Sequence, residues 1–130
     1  MTEVEIYNAI GEEGFEKLIR AFYNQIPSDS ILGPMYPAED LAGAEQRLRD
    51  FLIGRFGGPM RYVEQRGHPR LRMRHARFHV DLAASQRWME LMRRALDSAA
   101  FPKEVRQILE PYFEQTAVSM INRMPIEGQQ

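Results

Sequence analysis

Residues 57–78 of the 130-residue chain read GGPMRYVEQRGHPRLRMRHARF. From Arg61 to Arg77 this stretch holds six arginines and one acidic residue, Glu64, so its local charge is about +5. Because glycines and prolines interrupt it, we expect an irregular loop at about 60–70, followed by a short helix around 71–77. A long connection with little regular structure inside a compact domain is usually functional.

Three kinds of site fit these residues. The arginines would bind the phosphates of a nucleic acid, with Tyr62 and Phe78 stacking on bases. His75 and His79 are spaced as i and i+4, which would place two metal ligands on one helical face. In the third arrangement, a single histidine ligates the metal of a cofactor while arginines neutralise its carboxylates.

The sequence on either side of this stretch predicts an all-α chain with four long amphipathic helices in two pairs. A short segment precedes the first long helix, and Gly11 and Gly14 flank the turn between them. Pro111 is expected to kink the last helix or split it in two. The predicted long helices lie at about 13–26, 39–56 and 83–99, and from Pro102 onward.

Composition narrows the functional classes. A length of 130 residues with 44% hydrophobic residues suits one globular domain. The formal net charge of -1 argues against a generally nucleic-acid-seeking or membrane-surface protein. The absence of cysteine excludes disulfides, thiolate catalysis and iron–sulfur clusters. No apolar run approaches the ~20 residues of a membrane span, and the acidic N-terminus has no signal-peptide pattern, so we expect a cytoplasmic protein.

The surroundings of His75 favour the cofactor arrangement. Apolar Leu71, Met73 and Phe78 lie close to it in sequence, and arginines stand on both sides. A planar apolar macrocycle with two propionates needs one imidazole, an apolar rim and cations for its carboxylates. Fifteen of the 17 basic residues are arginine and eight residues are methionine, which suits such a pocket, although an arginine-rich proteome and ordinary core filling give the same bias.

The same residues resemble the group II truncated haemoglobins. The run Gly57-Gly58-Pro59, Tyr62 and the block 67–78 are similar to the signature of that family. The resemblance covers about residues 5–124 and implies a globin-like two-over-two helical sandwich that encloses a haem. It also implies one haem domain at 1–124, with 125–130 as a frayed C-terminal tail. Further matching positions are Phe22-Tyr23, Met35-Tyr36-Pro37, Asp40–Glu45, Arg47-Leu48 and Trp88.

Roles for individual residues follow from the resemblance. His75 would be the proximal ligand of the iron in haem b (iron protoporphyrin IX), whereas His79 would be a surface group. Tyr23, Tyr36 and Trp88 match the three polar residues on the distal side, where a gas binds. The walls would be formed by Ala44, Leu48, Phe51, Phe56, Met73, Phe78 and Met92. The candidate propionate partners are Arg47, Tyr62, Arg74 and His68.

These roles imply a ferrous haem protein that binds O2, and also CO and NO. Hydrogen bonds from Tyr36, Trp88 and Tyr23 would slow the release of O2. Slow release suits NO dioxygenation or other redox chemistry, which needs an external reductase because the chain has no flavin or nicotinamide motif. We expect at most weak peroxidase-like activity, because tyrosine, with an ordinary pKa near ~10, is a poor base at neutral pH.

Two alternatives stay open. A non-catalytic oxygen or ligand sensor or storage module would have the same pocket without turnover. A haem-free helical protein would bind RNA or another anionic partner through the Arg61–Arg77 loop. The haem interpretation predicts diatomic gases and an unidentified reductase as partners, no nucleic acid, and a monomer or homodimer.

Overall fold

The computed structural model describes residues 1–66 and 80–121. The regular secondary-structure elements in these two ranges are helices joined by turns. Helix α1 packs against α2 and α4, and α4 packs against α5. The predicted all-α fold is therefore confirmed. Among the described residues, no helix is long and apolar enough to cross a membrane. The α-helices are α1 (Ile6–Tyr23), α2 (Leu41–Arg55), α3 (Arg61–Arg66), α4 (Leu82–Ala99) and α5 (Lys103–Ser119).

Helix α1 contains the turn that the sequence predicts. Gly11 has φ 69° and ψ 179°, a backbone conformation that is essentially restricted to glycine, and it interrupts the helix. Beyond the break, an apolar stripe faces the core at three- and four-residue spacing. The helix ends at Tyr23 rather than near residue 26, and turns follow it up to a 3-10 helix at Gly33–Met35. The buried residues of the stripe are Phe15, Leu18, Ile19, Phe22 and Tyr23.

The end of α2 is fixed by close contact with the N-terminal segment. Gly57 has φ 102°, and a Cβ atom there would lie 2.0 Å from the carbonyl oxygen of Val4. The backbone N–H of Tyr7 donates to the carbonyl oxygen of Phe56 at 2.9 Å. Only glycine allows both the positive φ and this approach, so the predicted stop at Gly57-Gly58-Pro59 is confirmed.

The prediction of an irregular loop at 60–70 is wrong for its first part, because α3 spans Arg61–Arg66. Tyr62 is buried, and its ring meets that of Phe51 edge to face with centroids 5.6 Å apart. Packing of this aromatic side chain stabilises a helical turn that glycine and proline signals alone do not indicate. The predicted short helix at 71–77 lies outside the described residues.

Helices α4 and α5 form the second predicted pair. Asp81 caps α4 by accepting the backbone N–H of Ala84 at 2.9 Å. The buried hydroxyl of Ser85 donates to the carbonyl oxygen of Ala117 at 2.7 Å and ties the two helices together. Leu82 is 41% exposed because it is the first residue of α4 and precedes the packed stripe.

Pro111 does not split the last helix, since α5 runs without interruption from Lys103 to Ser119. A proline inside a helix removes one backbone N–H and leaves one carbonyl without its helical partner. Pro111 is exposed, so water can hydrate the polar backbone on that side of the helix. The cost of the proline is therefore smaller here than at a buried position.

Candidate ligand-binding site

Two tyrosines from different elements meet at the end of α1. Tyr23 is the last residue of α1 and is 5% exposed. Tyr36 directly follows the 3-10 helix at Gly33–Met35, in an extended conformation before Pro37. The two rings contact edge to face, at 87° and with centroids 5.7 Å apart. Tyr23 therefore supports the ring of Tyr36 from one side.

The third predicted distal residue, Trp88, lies in the middle of α4. Its ring is 5.3 Å from that of Phe22 and 6.0 Å from that of Phe113, measured between centroids. The indole of Trp88 is close enough to the Tyr36 hydroxyl to act against the rise in the pKa of Tyr36. An indole N–H can only donate a hydrogen bond, whereas a tyrosine hydroxyl can donate and accept. The structure thus brings Tyr23, Tyr36 and Trp88 into one cluster, and their roles toward a gas stay a prediction.

Burial decides the protonation of the two tyrosines. It raises the pKa of Tyr36 to about 12, although the nearby Trp88 indole works in the opposite direction. Burial and the neighbouring Tyr36 raise the pKa of Tyr23 well above its ordinary value, although the positive charge of Arg47 opposes them. Both hydroxyls therefore keep their protons through the physiological range and remain able to donate hydrogen bonds.

One face of α2 presents apolar side chains that pack against the same core. Ala44, Leu48 and Phe51 are spaced i, i+4 and i+7, and all three are partly buried against the core. Tyr62 of α3 covers the ring of Phe51. The face is therefore apolar but not completely filled by the described residues, which suits the wall of a pocket for a flat apolar group.

Two other predicted wall residues are fully buried. Phe56 is stacked on Phe15 at a centroid distance of 6.2 Å and meets Tyr112 edge to face at 5.0 Å. Met92 belongs to the same continuous core. Contact of either residue with a haem stays a prediction.

Arg47, a predicted propionate partner, is paired with an acid. Its guanidinium binds the carboxylate of Asp40, with Nη1 and Oδ1 3.3 Å apart. The pair passes over Gly43, where a Cβ atom would lie 2.6 Å from Asp40 Oδ1 and 2.9 Å from Arg47 Nη1. A glycine at this position therefore leaves room for the pair, and binding of a propionate by Arg47 stays a prediction.

The predicted iron ligand lies outside the described residues, together with four other predicted contacts. Within the two described ranges, no group of three or more His, Cys, Asp or Glu residues is placed to hold a metal ion. The three histidines of the chain, His68, His75 and His79, all lie in residues 67–79, so an imidazole ligand of a haem would come from this range. The predicted residues in that range are His68, Met73, Arg74, His75 and Phe78.

The described residues fit a haem. A haem needs apolar walls on both faces and, where a gas binds, hydrogen-bond donors that keep their protons. Ala44, Leu48 and Phe51 supply apolar surface, whereas Tyr36 and Trp88 supply polar tips on apolar rings. The described carboxylates that approach this region are those around Arg47, so the pocket region itself is dominated by apolar and neutral polar groups.

The structure also reveals residues that the sequence interpretation did not connect with the site. Phe22 lies between Tyr23 and Trp88, with ring distances of 5.2 and 5.3 Å. Asp29 and Arg87 form an ion pair at 2.7 Å that joins the segment before Tyr36 to the helix of Trp88. Phe22 belongs to the apolar stripe of α1, which the helical spacing indicates. No local pattern, however, connects Asp29 with Arg87, because the two charges are 58 positions apart.

Comparisons with known proteins agree with this arrangement. The family model described as "Bacterial-like globin" matches residues 5–122. The group 2 truncated hemoglobin YjbI of Bacillus subtilis (strain 168) is 36% identical over 121 residues, which are 93% of this chain and 91% of that protein.

Solved structures give the same result. The thermostable hemoglobin of Thermobifida fusca is 47% identical, with a TM-score of 0.86 over 90% of this chain and 96% of that one. The truncated oxygen-avid haemoglobin of Bacillus subtilis is 36% identical, with a TM-score of 0.85 over 90% and 98%.

The family implies haem binding and the binding of oxygen through that haem. The all-α fold, the tyrosine–tyrosine–tryptophan cluster and the matched length agree with it. The chain belongs to the bacterial-like globins and, among them, to the group II truncated haemoglobins.

Proposed function

We propose that residues 1–124 form a single domain that binds haem b through His75 and retains O2 by hydrogen bonds from Tyr36 and Trp88. The observation that carries this proposal is the aromatic cluster that links Tyr36 through Tyr23 and Phe22 to Trp88, together with a partly buried apolar face on α2. The resemblance of residues 67–78 to the family signature assigns the iron to His75.

The bound haem would supply an iron atom that takes up diatomic gases, while the protein's own residues would decide how long a gas stays. Burial keeps the proton on the Tyr36 hydroxyl, so this group and the Trp88 N–H can both donate to a ligand. Tyr23 meets the Tyr36 ring at 87° and limits its rotation. Pro37 follows Tyr36 directly and restricts its backbone to extended conformations.

One observation favours this function over binding of RNA. Arg61, the first arginine of the basic stretch, is paired with Glu12 at 2.7 Å and lies 3.8 Å from Asp50. Its charge is balanced by carboxylates of the fold, whereas a surface for nucleic acid depends on cations that are free to contact phosphates.

The reaction that we propose for this site is NO dioxygenation. One O2, one NO and one electron give nitrate, so atoms and charge balance when an external reductase supplies the electron. Long retention of O2 favours this reaction over bulk delivery, and the oxygen-avid character of a 36% identical haemoglobin of Bacillus subtilis supports tight binding. The alternative is a sensor or storage module with the same pocket and no turnover. We propose a cytoplasmic location for either role.

Removal of the two donors should accelerate the release of O2. A hydrogen bond to a charged or strongly polarised acceptor contributes roughly 1.5–3 kcal/mol, so Tyr36→Phe and Trp88→Phe should each raise the rate constant about ten- to a hundredfold. Stopped-flow release of O2 measures the effect.

Tyr112→Phe is the matched control for these variants, because the Tyr112 ring packs on Phe56 and Phe113 and, among the described residues, makes no ring contact with Tyr36 or Trp88. Its rate constant should equal that of the wild type. Unchanged rates in both Tyr36→Phe and Trp88→Phe would remove the donors from the proposal.

The rate of O2 release should be independent of pH across a wide range. Because burial raises the pKa of Tyr36 to about 12, its hydroxyl keeps the proton where an exposed tyrosine has begun to lose it. We expect a flat profile from about pH 6 to about pH 10, measured by stopped flow. A rise with a midpoint near ~10 would mean that Tyr36 titrates as an ordinary tyrosine and is not enclosed.

Product analysis separates the enzyme from the binding module. Addition of NO to the oxygenated protein should give stoichiometric nitrate, and sustained turnover should require an added electron donor. Ion chromatography measures nitrate and nitrite. Nitrite as the main product, or oxidation no faster than in protein-free buffer, would favour the sensor or storage role.

A further inference from the structure

The segment that carries Tyr36 is held by one carboxylate. Asp29 lies between α1 and the 3-10 helix at Gly33–Met35, and its side chain is 6% exposed. One oxygen, Oδ2, accepts the backbone N–H groups of Ile31 at 3.1 Å and Leu32 at 2.8 Å. The other, Oδ1, accepts Nη1 of Arg87 at 2.7 Å. One oxygen therefore shapes the turn, and the other attaches it to α4.

Backbone hydrogen bonds transmit the position of Asp29 to Tyr36. The N–H of Gly33 donates to the carbonyl oxygen of Asp29 at 2.9 Å, and that of Met35 donates to Leu32 at 2.9 Å. The N–H of Tyr36 then donates to the carbonyl oxygen of Gly33 at 3.2 Å. Tyr36 thus sits at the end of a hydrogen-bonded turn that begins at Asp29.

The other end of the ion pair is next to the second donor. Arg87 immediately precedes Trp88 in α4, and consecutive helical residues point about 100° apart. The Arg87 side chain therefore points in a different direction from that of Trp88. It is 33% exposed, whereas the Trp88 ring packs on Phe22. Glu90, one turn further along α4, also approaches Arg87 at 3.6 Å.

Asp29 is charged in this setting. Burial acts to raise its pKa, but hydrogen bonds from Leu32, Arg87 and Ile31 outweigh that effect, and the pKa lies below its ordinary value. The pair therefore persists at neutral pH. An ion pair with one well-buried partner is costly to break from one side, because the remaining charge stays desolvated.

We propose that Asp29 and Arg87 are positioning residues that set the distance between the Tyr36 hydroxyl and the Trp88 indole. The inference rests on the proposed function, in which those two groups retain the gas. Asp29 and Arg87 themselves do not contact the ligand. They affect gas release only by positioning the Tyr36 hydroxyl and the Trp88 indole. This distinguishes their role from a general contribution to the stability of the fold.

Four variants test the proposal. Arg87→Met keeps the hydrogen bonds that shape the turn but removes its attachment to α4. Asp29→Asn keeps an oxygen for the turn but presents an amide donor to Arg87. Arg87→Lys retains the positive charge and should behave like the wild type. Arg93→Met is the matched control, since Arg93 joins α4 to Glu110 and Glu114 of α5 and no contact with the Tyr36 segment is recorded for it.

The first measurement is structural. The chain contains one tryptophan, so the protein has a single indole N–H resonance, which reports the surroundings of the Trp88 N–H. Arg87→Met and Asp29→Asn should shift this resonance in the purified carbonyl form, whereas Arg87→Lys and Arg93→Met should leave it in place. A resonance unchanged in Arg87→Met and Asp29→Asn would overturn the proposal, whatever the stability of the variants.

The second measurement is the release of O2. Arg87→Met and Asp29→Asn should accelerate it about three- to tenfold, a loss smaller than that of a whole hydrogen bond. In a Tyr36→Phe background, Arg87→Met should add little, because both changes act on one donor pair. If Arg87→Met accelerated the release of O2 equally in the wild type and in Tyr36→Phe, the proposed positioning role would be contradicted.

Failure of this inference differs from failure of the proposed function. If Tyr36→Phe and Trp88→Phe accelerate release but Arg87→Met does not, the donors act and the ion pair is only structural. If Tyr36→Phe and Trp88→Phe have no effect, the proposed function fails, and the indole resonance still shows whether the ion pair positions Trp88.

Discussion

The ring of Trp88 packs between Phe22 of α1 and Phe113 of α5, and the rest of the site depends on these two contacts. The ring contacts continue on one side through Phe22 to Tyr23 and then to Tyr36. Aromatic pairs in such edge-to-face and tilted arrangements contribute about 0.5–1.5 kcal/mol each beyond their buried area. Both hydrogen-bond donors of the candidate site are therefore carried by rings that the core itself holds in place.

This arrangement explains how polar groups can be enclosed at little cost. A buried hydroxyl or indole N–H without a partner is destabilising by roughly 1–3 kcal/mol. No buried side-chain nitrogen or oxygen in the described ranges lacks a hydrogen-bond partner. The hydroxyl of Tyr36, a partly buried residue, can then donate to a ligand without disturbing the core.

Local periodicity was sufficient to predict the long helices and most of the core. The three- and four-residue spacing of apolar side chains placed the stripe of α1, the face of Ala44, Leu48 and Phe51, and the bounds of α4. Glycine signals correctly marked the break at Gly11 and the end of α2 at Gly57. The resemblance to the family added the three distal residues, which the structure brings together.

The features that the sequence did not predict depend on contacts between distant residues. Helix α3 forms where Tyr62 packs on Phe51, although the nearby glycines and prolines indicate a loop. Pro111 leaves α5 intact because its side of the helix faces solvent. The pairing of Asp29 with Arg87 joins two segments that only the folded chain brings together.

The haem content of His75→Ala, compared with that of His79→Ala, is the most direct measurement of whether this fold holds a gas-binding iron through His75. Both variants lose one histidine from the same basic stretch, so differences in expression or charge cancel. His79→Ala should purify with stoichiometric haem and the absorption spectrum of the wild type, whereas His75→Ala should lose the haem or the spectrum of its imidazole-ligated ferrous form. Equal haem content, identical ferrous spectra and equal O2 affinity in the two variants would contradict the assignment of the iron to His75.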